Sequence, residues 1–210
     1  MYSKLQFISQ GANYNEQLNS IYRALDAGCD WIQLRYKDRE EMSTGYVAEK
    51  IKVLCQKYEA TFIINDFVNL AKDVDADGVH LGLTDTSIKV AREILGPDKI
   101  IGGTANTLEH ILQRIDEGCN YVGLGPYRFT TTKENLSPIL GLEGYEKIVK
   151  ELRQQNKTVP IYAIGGILME DVEKITDAGI YGIAVSGLIA NAIDKTEVVS
   201  QLMSRLHEIA

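Results

Sequence analysis

Four short segments of this chain repeat one pattern: a small residue at a helix end, an apolar run, then a small or polar residue. AGCDWIQLR starts at Ala27, VDADGVHLG at Val74, EGCNYVGLG at Glu117 and AGIYGIAVS at Ala178. The starts lie 47, 43 and 61 residues apart, too long for one βα unit and about right for two. The missing units lie between them. KLQFIS (4–9), ATFIIND (60–66), KIIGGTA (99–105) and VPIYAIGG (159–166) are further short apolar runs. Continuous rather than alternating apolar runs fit parallel strands covered on both faces. Helical periodicity falls between the runs, over Met42–Tyr58, Ser87–Leu95, Thr107–Glu117, Glu143–Gln155 and Met169–Ala178. Gly28, Gly118 and Gly179 stand where helix C-terminal glycines belong.

Eight strands alternating with eight helices predict an α/β fold, a single-domain (β/α)8 TIM barrel over residues 1–210. At 210 residues each unit has about 26, the compact end of the range for this fold. A doubly wound open sheet is the competing architecture. The doubled spacing favours the barrel, because alternate strands feed alternate interior layers.

Composition narrows the class. The chain is 45% hydrophobic and 24% charged, an ordinary globular balance. A net charge of −7 argues against a nucleic-acid partner, which calls for a basic face. It leaves room for anionic small molecules held by a locally basic site. No membrane span and no signal peptide are read. The most apolar stretch, Ile180–Ile193, is short and interrupted. Cys29, Cys55 and Cys119 form no C-x-x-C pair, and free thiols in a cytoplasmic protein are expected.

In a barrel the site lies where strands end at their C-termini, so the residues after each run carry the expected chemistry. Gln33, Arg35 and Lys37 alternate after strand 2 and point to one side. One amide and two cations can hold a heterocycle edge and a polyphosphate; the plain alternative is a solvated strand end. Asp66 and Asp85 follow strands 3 and 4. They read either as carboxylate ligands for Mg²⁺ beside phosphates or as helix N-caps. Pro126–Pro138, the longest irregular segment, offers hydroxyls and Lys133, as a loop closing over an anion would. Gly165-Gly166 and Ser186-Gly187 follow strands 7 and 8, the usual phosphate position of this fold. A short helix near Leu188–Ala192 can complete it.

Other chemistries lack their residues. There is no Walker loop, no dinucleotide glycine fingerprint and no nucleophile elbow. His80, His110 and His207 have no zinc spacing. His80 is expected to be bonded inside the barrel rather than to act as a base, and Trp31 to pack at its bottom.

The ordered motifs resemble those of the thiamine phosphate synthase family. They are Q-x-R-x-K after strand 2, N-D after strand 3, H-L-G-x-x-D after strand 4, G-L-G-P…T-x-T-K after strand 6, I-G-G-I after strand 7 and V-S-G after strand 8. Each is weak alone; six in order, over nearly the whole chain, are specific. The resemblance implies a transferase that joins a 4-amino-2-methyl-5-hydroxymethylpyrimidine diphosphate to a 4-methyl-5-(2-hydroxyethyl)thiazole phosphate, with Mg²⁺, releasing pyrophosphate. By that likeness Gln33, Arg35, Lys37, Asn65, Thr104 and Lys133 would hold the pyrimidine diphosphate. Arg35, Lys37 and Lys133 would be the catalytic cations, and Asp66 and Asp85 the metal ligands. Thr130, Thr132, Gly166, Val185 and Ser186 would take the thiazole phosphate. The expected partners are those small molecules, with no nucleic acid and no membrane; a homodimer is left open.

Two departures from the family pattern stand out. Leu83 replaces a usual Gln, and Arg128-Phe129 replace an aromatic-proline pair. Arg128 is expected to touch phosphate or to face solvent. Two other readings compete: a thiazole tautomerase-like isomerase, and a non-catalytic barrel that senses thiazole phosphate. Neither would need the diphosphate and metal set, which argues against both.

Overall fold

The computed structural model describes residues 2–36, 41–129 and 137–207. Eight parallel strands close into a barrel in chain order. They are β1 (Leu5–Ile8), β2 (Trp31–Leu34), β3 (Thr61–Asn65), β4 (Gly78–Leu81), β5 (Ile100–Ala105), β6 (Tyr121–Leu124), β7 (Ile161–Ile164) and β8 (Gly182–Val185). Closure is made by β1 against β8, with Leu5 opposite Ile183 and Phe7 opposite Val185. The open-sheet alternative is therefore set aside.

Helices α1 (Tyr14–Asp26), α2 (Glu41–Lys57), α3 (Val68–Asp73), α4 (Ile88–Leu95), α5 (Leu108–Asp116), α6 (Gly141–Gln154) and α7 (Val172–Asp177) follow β1 to β7 in turn. A short α8 (Gly187–Ala190) and a longer α9 (Lys195–His207) follow β8. The extra helix leaves α8 free to sit at the mouth while α9 covers the barrel wall. No helix of the described residues is long and apolar enough to cross a membrane.

Local chemistry starts and stops these elements. Asn13 caps α1 by accepting from the Glu16 N–H at 3.0 Å, and Glu16 reaches back to the Ala12 N–H at 2.7 Å. Thr107 caps α5 through the His110 N–H at 3.2 Å. Gly28, Gly118 and Gly179 have φ of +102°, +83° and +91° just past their helices, a backbone that a Cβ would strain.

The apolar residues form two layers. The larger packs the outer face of the strands against the helices, with Leu5, Phe7, Ile32, Phe62, Ile101 and Ile183 all buried. The smaller fills the barrel interior and contains Ile8, Trp31, Ile63, Tyr121, Tyr162 and Ala184. Trp31 meets Tyr121 and Tyr162 edge-on, at ring separations of 5.2 and 5.3 Å. This aromatic layer plugs the barrel from below. The inward residues one step higher on the strands, Gln33, Asn65, His80 and Thr104, are polar. These polar residues at the upper ends of β2 to β5 build a site on top of a packed core.

Candidate active site

The floor of the mouth is an amide pair. Gln33 is buried and donates from Nε2 to Asn65 Oδ1 at 2.7 Å. Its own Oε1 is buried and has no hydrogen-bond partner among the described residues. An unpaired buried acceptor costs about 1–3 kcal/mol, so this atom marks a place for an incoming N–H.

Arg35 stands half-buried one step above. Its backbone is held on both sides: its N–H donates to Ser9 Oγ at 2.9 Å, and its carbonyl accepts from Gln17 Nε2 at 3.3 Å. Burial pulls the guanidinium pKa down, and the nearby Asp66 carboxylate opposes that shift. An arginine keeps its charge regardless, so Arg35 is a fixed cation with part of its hydration removed.

Asp66 sits at φ +69°, a left-handed backbone that Asp tolerates better than most residues. The conformation is held by its N–H donating to the His80 carbonyl at 2.9 Å, which ties β3 to β4. The N-cap of α3 is Phe67, without a side-chain cap bond; α4 is capped by Ser87. So neither Asp66 nor Asp85 caps the helix that follows it. Asp85 is exposed and folds back, its Oδ2 accepting from the Gly82 N–H at 2.6 Å. A Cβ on Gly82 would lie 2.7 Å from that oxygen, so only glycine lets the carboxylate approach the strand end.

Among the described residues no three His, Cys, Asp or Glu side chains converge as a metal site. Mg²⁺ does not require one: it takes one or two carboxylates and fills its octahedron with water and phosphate oxygens. Hard oxygen donors at the ends of adjacent strands suit that ion.

Thr104, the last residue but one of β5, is half-buried at the mouth, with Oγ1 3.1 Å from His80 Nε2. Its carbonyl accepts from Arg114 Nε at 3.3 Å, and Arg114 Nη2 also donates to the Gly82 carbonyl at 2.8 Å. Arg114 is 3% exposed and lies beneath Gly103, where a Cβ would meet its side chain at 2.8 Å. Sequence reasoning missed this residue. Its signal was a charge inside the apolar stripe of α5, beside Ile111 and Ile115.

The far side of the mouth is made of glycine turns. Gly165 and Gly166 follow β7 at φ +95° and +68°. A Cβ on Gly166 would lie 2.8 Å from the Phe129 carbonyl oxygen. The chain after β6 runs alongside, with the Tyr127 and Arg128 N–H groups donating to the Ile164 and Gly165 carbonyls, each at 2.9 Å. The Arg128 side chain is 41% exposed and carries a contact that the sequence did not show. It forks onto Asp171 and donates to the Gly166 carbonyl at 2.9 Å. Val185 is buried at the end of β8, and half-buried Ser186 begins the turn into α8. The Ser186 hydroxyl donates to Gln10 Oε1 at 3.4 Å. The first N–H groups of α8 lack helical acceptors, as at every helix start.

The structure thus brings Gln33, Asn65, Arg35, Asp66, Asp85 and Thr104 to one half of the mouth. Gly166, Val185 and Ser186 form the other. Lys37, Thr130, Thr132 and Lys133 lie outside the described residues. His80 is bonded within the barrel, as expected. Cys29 and Cys55 are buried and Cys119 half-buried, all three free. Burial pushes each thiol up to about 12, so none is a ready nucleophile.

A closed barrel with its polar side chains gathered at the strand C-termini defines the class: a (β/α)8-barrel enzyme. Within that class the chain belongs to the thiamine monophosphate synthase family, whose sequence pattern matches residues 5–189. It is 56% identical to a thiamine-phosphate synthase of Flavobacterium psychrophilum, over 98% of this chain and 100% of that protein. It is 54% identical to the corresponding Flavobacterium johnsoniae protein, over 99% and 98% of the two chains. The solved thiamine phosphate pyrophosphorylase of Pyrococcus furiosus superposes with a TM-score of 0.84 at 32% identity, covering 98% of this chain and 96% of that one.

Proposed function

We propose that residues 1–210 act as one cytoplasmic barrel domain that synthesises thiamine phosphate from two phosphorylated small molecules. One is the aminopyrimidine diphosphate, the other the thiazole phosphate or its carboxylated tautomer. The observation that carries the reading is the unpaired, buried Gln33 Oε1 beside Asn65 and beneath Arg35. A flat ring bearing an exocyclic N–H and a polyphosphate tail satisfies all three at once: N–H to Gln33, ring edge to Asn65, charge to Arg35.

The chemistry needs no base from the protein. The 4-amino group pushes electron density into the ring as the C–O bond to the diphosphate breaks. Pyrophosphate leaves with the bonding pair. The thiazole nitrogen then donates its lone pair to the resulting pyrimidinylmethyl cation, forming the C–N bond. Arg35, with Lys37 and Lys133, offsets the charge that grows on the leaving group. Asp66 and Asp85 would hold Mg²⁺, which supplies further neutralisation of the diphosphate oxygens. Gly166, Val185 and Ser186 would seat the thiazole phosphate through backbone N–H groups and a hydroxyl. Thr130 and Thr132 are proposed to contact the same substrate. Holding both rings together in a mouth closed from water lets nitrogen capture the cation before hydrolysis does.

The direct test mixes protein, both substrates and Mg²⁺, and follows thiamine phosphate and pyrophosphate. Equal amounts of the two products are expected. Folded protein that makes neither at high enzyme concentration overturns the reading. The isomerase alternative predicts conversion of the thiazole tautomer alone, without diphosphate consumption.

A further inference from the structure

Four polar side chains from four strands cross the barrel interior in one row. Gln6 of β1 donates from Nε2 to the Tyr121 hydroxyl of β6 at 3.2 Å. That hydroxyl lies 3.0 Å from Nδ1 of His80 on β4. The other ring nitrogen, Nε2, lies 3.1 Å from Oγ1 of Thr104 on β5. Gln6, Tyr121 and His80 are all buried. Two glycines make the space. A Cβ on Gly102 would overlap the Tyr121 ring, and one on Gly123 would lie 3.1 Å from His80 Cε1.

The order of donors follows from counting protons. Burial pushes the Tyr121 pKa well above its ordinary range, so the phenol keeps its proton. The Gln6 amide donates to one of its lone pairs. We assign the phenol proton to His80 Nδ1, 3.0 Å away, which makes that nitrogen the acceptor in this row. An imidazole that accepts at Nδ1 carries its proton on Nε2. That N–H then donates to Thr104 Oγ1 and occupies the lone pair facing it, so the threonine proton points away from His80.

We propose that Gln6, Tyr121 and His80 are positioning residues that set the Thr104 hydroxyl as a hydrogen-bond donor, so that the site selects a heterocycle presenting a ring acceptor to it. The identity of the heterocycle as the aminopyrimidine rests on the function proposed above; the proton order does not. The row also accounts for a histidine that the reaction itself leaves unused: its task is to fix a direction rather than to move a proton.

Two measurements test this, each able to fail separately. The first is nitrogen NMR of the full chain labelled with ¹⁵N-histidine, the His80 signal being assigned by difference from His110→Gln and His207→Gln. It is expected to report the Nε2–H tautomer, and Tyr121→Phe is expected to lose that single form. A wild-type Nδ1–H tautomer overturns the relay, whatever the variant does. The second compares binding of the aminopyrimidine diphosphate with two analogues, each having one ring nitrogen replaced by C–H. One analogue is expected to bind roughly 3- to 10-fold more weakly, the scale of one neutral hydrogen bond. Thr104→Val should abolish that difference. Equal binding of all three to the wild type overturns acceptor selection. Failure of the parent compound to bind sinks the substrate assignment and the acceptor selection with it, while the tautomer result still decides the relay.

Discussion

Arg128 and Asp171 meet as a two-pronged ion pair, with Nη1 to Oδ2 at 2.6 Å and Nη2 to Oδ1 at 3.0 Å. The pair joins the chain leaving β6 to the turn leaving β7. Arg128 Nη1 also donates to the Gly166 carbonyl at 2.9 Å, and Asp171 Oδ2 accepts from the Leu168 N–H at 2.8 Å. The glycine turn proposed to take the thiazole phosphate is thus braced from both ends by one residue pair. Arg128→Ala should leave a nearly buried carboxylate unpaired. Because Arg128 itself is 41% exposed, the loss is expected at about 1–3 kcal/mol. The KM for thiazole phosphate should rise more than that for the diphosphate. Chemical denaturation and steady-state kinetics check both; an unchanged KM would remove Gly166 from the chain of effects.

The same pair predicts an acid-sensitive contribution to stability. Burial alone would raise the Asp171 pKa, but the Arg128 fork and the Leu168 N–H outweigh it and hold the carboxyl below its ordinary 3.8. The unfolded chain then binds more protons than the folded one across this range. The stability gained is complete above the unfolded value and is lost as pH falls through the depressed folded value. Thermal melts between about pH 6 and pH 2 should show a shallower acid limb for Asp171→Asn than for wild type. Parallel limbs would contradict the assignment.

Asp66→Asn separates charge from backbone. Asn accepts the left-handed φ of +69° as readily as Asp does, so the turn and its bond to the His80 carbonyl survive. The carboxylate beside Arg35 does not. Turnover is expected to fall by roughly 100-fold, the scale of a lost electrostatic contact at developing charge, with a near-native melting temperature. Near-normal turnover would take Asp66 out of the metal site.

Ser186→Ala tests the other half of the mouth. The hydroxyl follows β8 within reach of Gln10 and is proposed to touch the thiazole phosphate. Its removal should raise KM for that substrate and leave the diphosphate KM within about twofold, since a single neutral hydrogen bond is at stake. Equal changes in both would count against the phosphate position.

Gly102→Ala probes the aromatic plug. The new methyl would overlap the fully buried Tyr121 ring, which is hemmed in by Trp31 and Tyr162. A stability loss of about 1–3 kcal/mol is expected, as for other overpacked cores. A midpoint of denaturation unchanged from wild type would show that the plug can yield.

Much of this molecule was legible from local pattern. Apolar runs, helical periodicity and cap residues depend on neighbours within a few positions, so eight strands and the helices α2, α4, α5, α6 and α7 could be placed to within a few residues, while α1, α3 and α9 were not read from periodicity. The barrel rule then put Gln33, Asn65, Asp66, Asp85, Thr104, Gly166 and Ser186 at one end, because the C-termini of parallel strands all emerge on the same face. What could not be read was distance across the barrel. Gln6, His80, Thr104 and Tyr121 are up to 115 positions apart in the chain, and only closure of β1 on β8 brings them into one row. Arg128 carries no mark in the sequence of the brace that it forms; that pairing was decided by where Asp171 came to lie. Asp66 and Asp85 read in the sequence as either metal ligands or helix caps, and only the structure puts Phe67 and Ser87 at the cap positions. Local sequence chooses the elements, because secondary structure is a short-range matter. Strand register and barrel closure choose the partners, because a hydrogen bond depends on where two groups end up in space and not on how far apart they stand in the chain.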